Sequence, residues 1–141
     1  MNLLYPKAKA TLLRGGIALL TDTIRAQLID TGAYAYSAAH QFLSSVPGAA
    51  RIGNPATLAG KTVTNSGTAA VFDADDALFT SVPAGTGTGA ASEAILIYRD
   101  TGDPATSDLI ELIDTATGLP VTTNGGNVTV TWDATGIVRL D

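Results

Sequence analysis

Turn-forming residues interrupt this chain so regularly that no apolar pattern in it runs past ordinary strand length. Gly15-Gly16, Asp30-Thr31-Gly32, Asp100-Thr101-Gly102, Asn124-Gly125-Gly126 and Asp133-Ala134-Thr135-Gly136 are the clearest of these breaks. Gly accepts positive φ without steric penalty, and Asp folds its carboxylate back onto nearby N–H groups, so each break ends whatever element precedes it. Short elements separated by turns describe an all-β chain better than a helical one.

The segments between the breaks fit that description. Lys7 to Leu13 alternates briefly and predicts a first strand, with Lys7 and Lys9 on its wet face. From Thr23 to Asp30, Ile24, Ala26 and Leu28 share one parity and Arg25 and Gln27 the other, until Ile29 breaks the pattern. Strand-like stretches follow at 56–63, 69–72 and 78–82, and a Gly-Thr loop at 83–91. Glu93–Tyr98 and Leu109–Asp114 are rich in Ile and Leu and of strand length, which predicts central strands buried on both faces. In Asn127–Trp132 the residues Val128, Val130 and Trp132 face one way and the polar residues the other. Asp133–Gly136 then turns the chain into Ile137–Leu140, read as a final hairpin arm. One short helix is expected near Ser37–Val46, capped by Ser37 and stopped by Pro47. The expected fold is a single domain, residues 1–141, built as one antiparallel β-sandwich, jelly-roll-like or related.

Composition narrows the function. Charged residues make up 15% of the chain, against about 25% in an average soluble domain, so the surface suits cover by partners. Cysteine is absent, which removes disulfides, thiolate metal sites and thiol nucleophiles. A net charge of −5 with scattered basic residues offers no footprint for phosphates, so direct nucleic-acid binding is not expected. Arg14 interrupts the most hydrophobic stretch, Leu12–Leu20, which argues against a membrane span and a signal peptide and for a soluble, intracellularly made protein.

Candidate chemistry is thin. Leu28-Ile29-Asp30-Thr31-Gly32-Ala33 resembles the active-site turn of aspartic proteases, and a second Asp-Thr-Gly begins at Asp100. Those enzymes need two carboxylates sharing one proton. Arg99 stands where apolar support belongs, and the recurrence of Asp-Thr at Asp114 favours turns. Asp73-Ala74-Asp75-Asp76 lacks the Gly and Glu that an EF-hand loop needs, so a solvated acidic turn is expected. His40 is the sole histidine and has no Gly-x-Ser-x-Gly elbow to serve, so it reads as a packing residue whose ring meets backbone groups. Gly85–Gly89 lacks the Lys-Ser/Thr of a phosphate-binding loop, and Asn127-Val128-Thr129 matches a sequon that matters only in a secreted eukaryotic setting. No catalytic residue, metal or cofactor is assigned.

Four longer phrases, 30–43, Val71–Asp76, Ile95–Gly102 and 114–126, occur in an order that resembles a family of small proteins encoded among the virion structural genes of tailed bacteriophages. The resemblance reaches from about Thr23 to the C-terminus. It implies a capsid decoration or cement protein on the virion exterior, made in the bacterial host cytoplasm. Its implied partners are the major capsid protein and further copies of the chain as a homo-oligomer. A tail, neck or fibre-attachment component is the alternative, and an Asp30 protease the remote one. The apolar segment at residues 1–6 is expected to be an N-terminal docking arm. Leu3, Leu4, Tyr5, Tyr34, Tyr36 and Phe42 are the chain's candidate capsid or subunit contacts, with packing as the default for the aromatics Tyr34, Tyr36 and Phe42.

Overall fold

The computed structural model describes residues 2–84 and 91–141, so most of the expected Gly-Thr loop lies outside the described residues. In chain order the elements are β1 (Leu3–Leu4), α1 (Pro6–Leu13), β2 (Ile24–Ile29), β3 (Arg51–Thr57), β4 (Thr62–Ser66), β5 (Ala69–Asp73) and β6 (Ala77–Phe79). They continue with β7 (Ala91–Ser92), β8 (Ala94–Arg99), β9 (Leu109–Ile113), β10 (Val121–Thr122), β11 (Val128–Val130) and β12 (Val138–Leu140). The fold is mostly β, and every pairing between named strands is antiparallel.

The largest sheet has the order β1-β9-β8-β2-β3. Its centre is mostly apolar: Ile95, Leu96 and Ile97 of β8 and Leu109 and Ile110 of β9 are fully buried, as expected for strands covered on both faces. From this hairpin outward the pairings nest. β8 takes β9, β7 takes β10, β6 takes β11 and β5 takes β12, so the chain after Arg99 retraces the chain before it.

Gln27 shows how sequence parity and structure diverge. It sits opposite an irregularity in β3, where Ala26 pairs with Ala56 but Leu28 pairs with Ile52. The buried amide of Gln27 donates to the carbonyls of Ile52 (2.9 Å) and Gly53 (3.1 Å). A polar residue of the parity opposite Ile24, Ala26 and Leu28 is thus interior, because the bulge frees carbonyls that need donors.

Several expected elements change. Lys7–Leu13 lies within a helix, not a strand: Pro6 occupies the first helical turn, where its missing N–H is harmless, and Gly15 adopts φ 77° just past the end. Gly16 N–H donates to Thr11 and Gly15 N–H to Leu12, closing the helix with a Schellman motif. The helix expected near Ser37–Val46 is reduced to a turn at Ser37–His40 and a 3₁₀ turn at Leu43–Ser45. There the chain pairs with a loop instead, Leu43 N–H donating to Ser107 and Leu109 N–H to Gln41. The expected 56–63 strand straddles a turn between β3 and β4, and Ile137–Leu140 is no hairpin arm of the preceding strand, since β12 pairs with β5 while β11 pairs with β6. Among the described residues the strands divide among four antiparallel sheets.

Arg99, at the end of β8, binds these parts together. Its guanidinium meets the buried Asp108 carboxylate at 2.6 Å and donates to the Gly16 carbonyl at 2.6 Å. Removing one partner of such a pair leaves a buried charge without compensation. Arg99→Ala is expected to lower the unfolding free energy by about 3 kcal/mol in urea titrations, and adding Asp108→Asn is expected to recover part of it.

Candidate interaction surface

Five of the six sequence-predicted contact residues come together. Leu3 and Leu4 form β1 and pair with Leu112 and Glu111 of β9, and Tyr5 N–H donates to the Ile110 carbonyl. Tyr5 is fully buried. Its hydroxyl lies 2.8 Å from that of Tyr34, which lies 2.9 Å from His40 Nδ1, and Tyr36 donates to the Leu4 carbonyl at 3.0 Å. The order that uses each hydroxyl proton has Tyr5 donating to Tyr34 and Tyr34 donating to His40. Burial raises the pKa of both tyrosines.

The cluster therefore locks the N-terminus onto the 31–40 stretch, helped by Lys7 Nζ donating to the Ala39 carbonyl. Residues 3–5 belong to the sheet and core, not to a free arm. Tyr34 is likewise interior, while Leu3, Leu4, Tyr36 and Phe42 are half-buried. Phe42 stands apart, bridged to Asp108. His40 meets a tyrosine hydroxyl rather than backbone.

The two Asp-Thr-Gly phrases have the same local chemistry. Asp30 accepts from Gly32 N–H at 2.8 Å and Asp100 from Gly102 N–H at 2.9 Å, each with its Oδ1. Asp103, Asn124 and Asp133 repeat this reach to the residue two ahead. Asp30 follows one end of β2, and Asp100 N–H donates to Thr23 before the other. Seven residues of extended chain separate those ends by roughly 20 Å, so the two carboxylates of one chain do not share a proton. In the acidic turn, Asp73 accepts from Ala74 N–H and Asp76 from the Thr131 hydroxyl. Among the described residues no three His, Asp or Glu side chains gather as a metal site.

An apolar groove lies on a feature that sequence parity did not single out, the sheet β12-β5-β4, while Leu13, Leu20 and Leu78 are exposed elsewhere. Val63, Phe72 and Val138 are in register across it, as are Asn65, Ala70 and Leu140, and cross-strand partners share a face. With Leu19, the face forms a shallow apolar groove in which Val63 is 48% and Leu140 39% exposed. The opposite face lines a polar groove of about 330 Å³ with Thr62, Thr64, Ser66, Asp73, Thr135 and Arg139. Alternation along β4 was the available signal, but Thr, Asn and Ser around one Val resemble loop in a single sequence.

One buried acid also escaped sequence reasoning. Glu111, in the middle of β9, is 4% exposed, its register partners are Leu4 and Ile97, and its Oε2 has no hydrogen-bond partner. Burial pushes its pKa up to about 8. A lone Glu within Leu-Ile-Glu-Leu-Ile was its sequence signal. Neither groove described above is lined by it.

No protein-family model matches the chain, and a search of curated proteins finds no match either.

Glu111 makes stability depend on pH. Its folded pKa of about 8 exceeds the ordinary 4.5, so between these values the folded state holds a proton that the unfolded state releases. The contribution is complete below about pH 4.5, declines as pH rises and is gone above about pH 8. Relative to Glu111→Gln, the wild-type chain is expected to lose on the order of 3 kcal/mol between pH 5 and 8.5, followed by chemical denaturation. A pH-independent difference would show that Glu111 does not titrate in this range.

Proposed function

We propose that the chain is a structural protein of a tailed-phage virion, a capsid decoration or cement protein that bridges capsomers on the outside of the shell. Its partners in this reading are the major capsid protein and other copies of itself. The resemblance of the ordered phrases supplies the setting. The observation that carries the reading is the apolar face of β12-β5-β4, where Leu19, Val63, Ala70 and Leu140 line a shallow open groove suited to contact by area. The groups that first suggested chemistry have structural partners instead, Asp30 closing a turn and His40 meeting Tyr34.

The nested pairing of β5 through β12 supports a jelly-roll-like reading of the topology, since a jelly roll is a long antiparallel ribbon folded across itself. Cement action needs no reactive group. A small footprint repeated around a symmetric shell gains stability by burying apolar and hydrogen-bonding area at each seam. A net charge of −5 is consistent with a protein partner rather than a nucleic acid.

Labelling the protein on intact virions and imaging them tests the reading. Dense label over the head is the expected outcome, and label confined to the tail would replace the cement reading with a tail or neck component. Val63→Asp with Leu140→Asp is expected to weaken binding to shells lacking the protein at least tenfold while leaving the circular dichroism spectrum unchanged.

A further inference from the structure

Strand edges with free backbone groups invite pairing with other chains, and proteins usually guard them with charge, proline, bulges or brevity. Among the described residues, the edges of the two larger sheets follow that rule with one exception. β3 carries Pro55 and an irregular register, β1 has two residues, and β12 holds Arg139 and is followed by Asp141. β4 has five residues, Thr62-Val63-Thr64-Asn65-Ser66, all exposed and without charge, proline or bulge. The adjacent Lys61, the side chain best placed to guard it, donates its ammonium to the Asp22 carbonyl at 2.5 Å.

The hairpin also fixes which backbone groups face outward. β4 and β5 are joined by Gly67-Thr68, with Gly67 at φ 62° in the first central position, as a type II′ turn requires. A two-residue turn makes Ser66 and Ala69 a hydrogen-bonded pair, so Thr64 with Val71 and Thr62 with Asp73 are hydrogen-bonded pairs too. The N–H and C=O groups of Val63 and Asn65 therefore point away from β5.

We infer that β4 is a homodimer interface, pairing antiparallel with β4 of a second copy about a two-fold axis through Thr64. In this register Val63 faces Asn65 of the other copy, and each pair exchanges two backbone hydrogen bonds, so all four outward groups on each strand are satisfied. Thr64 meets its own counterpart in the closer, non-hydrogen-bonded position, a favourable cross-strand pair. The occupant is a second copy because this segment is self-complementary in that register. The chain carries −5, and residues 62–66 let two copies approach without apposing acids. Pairing yields the continuous sheet β12-β5-β4-β4-β5-β12, whose joined apolar faces present the Val63 and Leu140 surface twice on one side. The dimer stands whether or not the shell-binding reading does.

The test uses the whole chain in solution. Light scattering behind size exclusion at tens of micromolar is expected to give twice the 14.3 kDa chain mass. Thr64→Lys, which brings two ammonium groups together on the axis, and Asn65→Pro, which deletes an outward donor, are each expected to give monomers. Thermal melts of these variants at concentrations where the wild type is monomeric establish that the fold is retained. Because the chain has no cysteine, Thr64→Cys is expected to form a disulfide-linked dimer on mild oxidation, at least tenfold faster than Ala105→Cys. A wild-type monomer at these concentrations, or an oligomer unchanged by both folded variants, would overturn the inference.

Discussion

The β8–β9 hairpin imposes the main requirement on the rest of the chain. Its backbone amides lie between residues that are almost all apolar, so they can be satisfied only by neighbouring strands, and both faces need cover. β2 and β1 meet the first need by pairing on the two sides. The nested pairs β7–β10, β6–β11 and β5–β12 follow from the same hairpin, because once the chain reverses after Arg99 each later strand finds its partner progressively earlier.

That arrangement explains where polar groups are tolerated inside. Gln27 is interior because a bulge leaves carbonyls for it, and Asp108 because Arg99 meets it. Glu111 has no comparable partner, and its proton replaces the missing compensation. The repeated turn in which Asp or Asn accepts from the N–H two residues ahead serves a different purpose. It closes loops locally at the surface, so the phrase that resembles a protease turn is one instance of a unit used five times.

Surface and interior are divided between two parts of the molecule. The large sheet and the Tyr5–Tyr34–His40 chain hold the N-terminus inward, which removes the expected docking arm as an independent element. The small sheet leaves Val63 and Leu140 of its apolar face, a hydroxyl-lined face and an unguarded edge in solvent. In our proposals the face meets a shell and the edge meets a second copy, using side chains for one contact and backbone for the other.

Local chemistry in the sequence was enough to determine the β-rich class, β2, the two central strands, the alternating face of Val128, Val130 and Trp132, and the Asp-Gly turns, since each depends on neighbours within a few residues. The helix was also written there, in Pro6 and the Gly15-Gly16 stop, but two lysines at alternate positions imitated a strand over a segment too short for periodicity to decide. Strand partners were not legible: β12 chooses β5 over the adjacent β11 because pairing is settled by long-range burial. The same holds for the aromatic cluster. Tyr5 and Tyr34 are 29 positions apart and become one buried hydrogen-bonded pair only when β1 joins β9. Turns in the sequence bounded the central strands, and tertiary packing decided which strands met and which edge remained open.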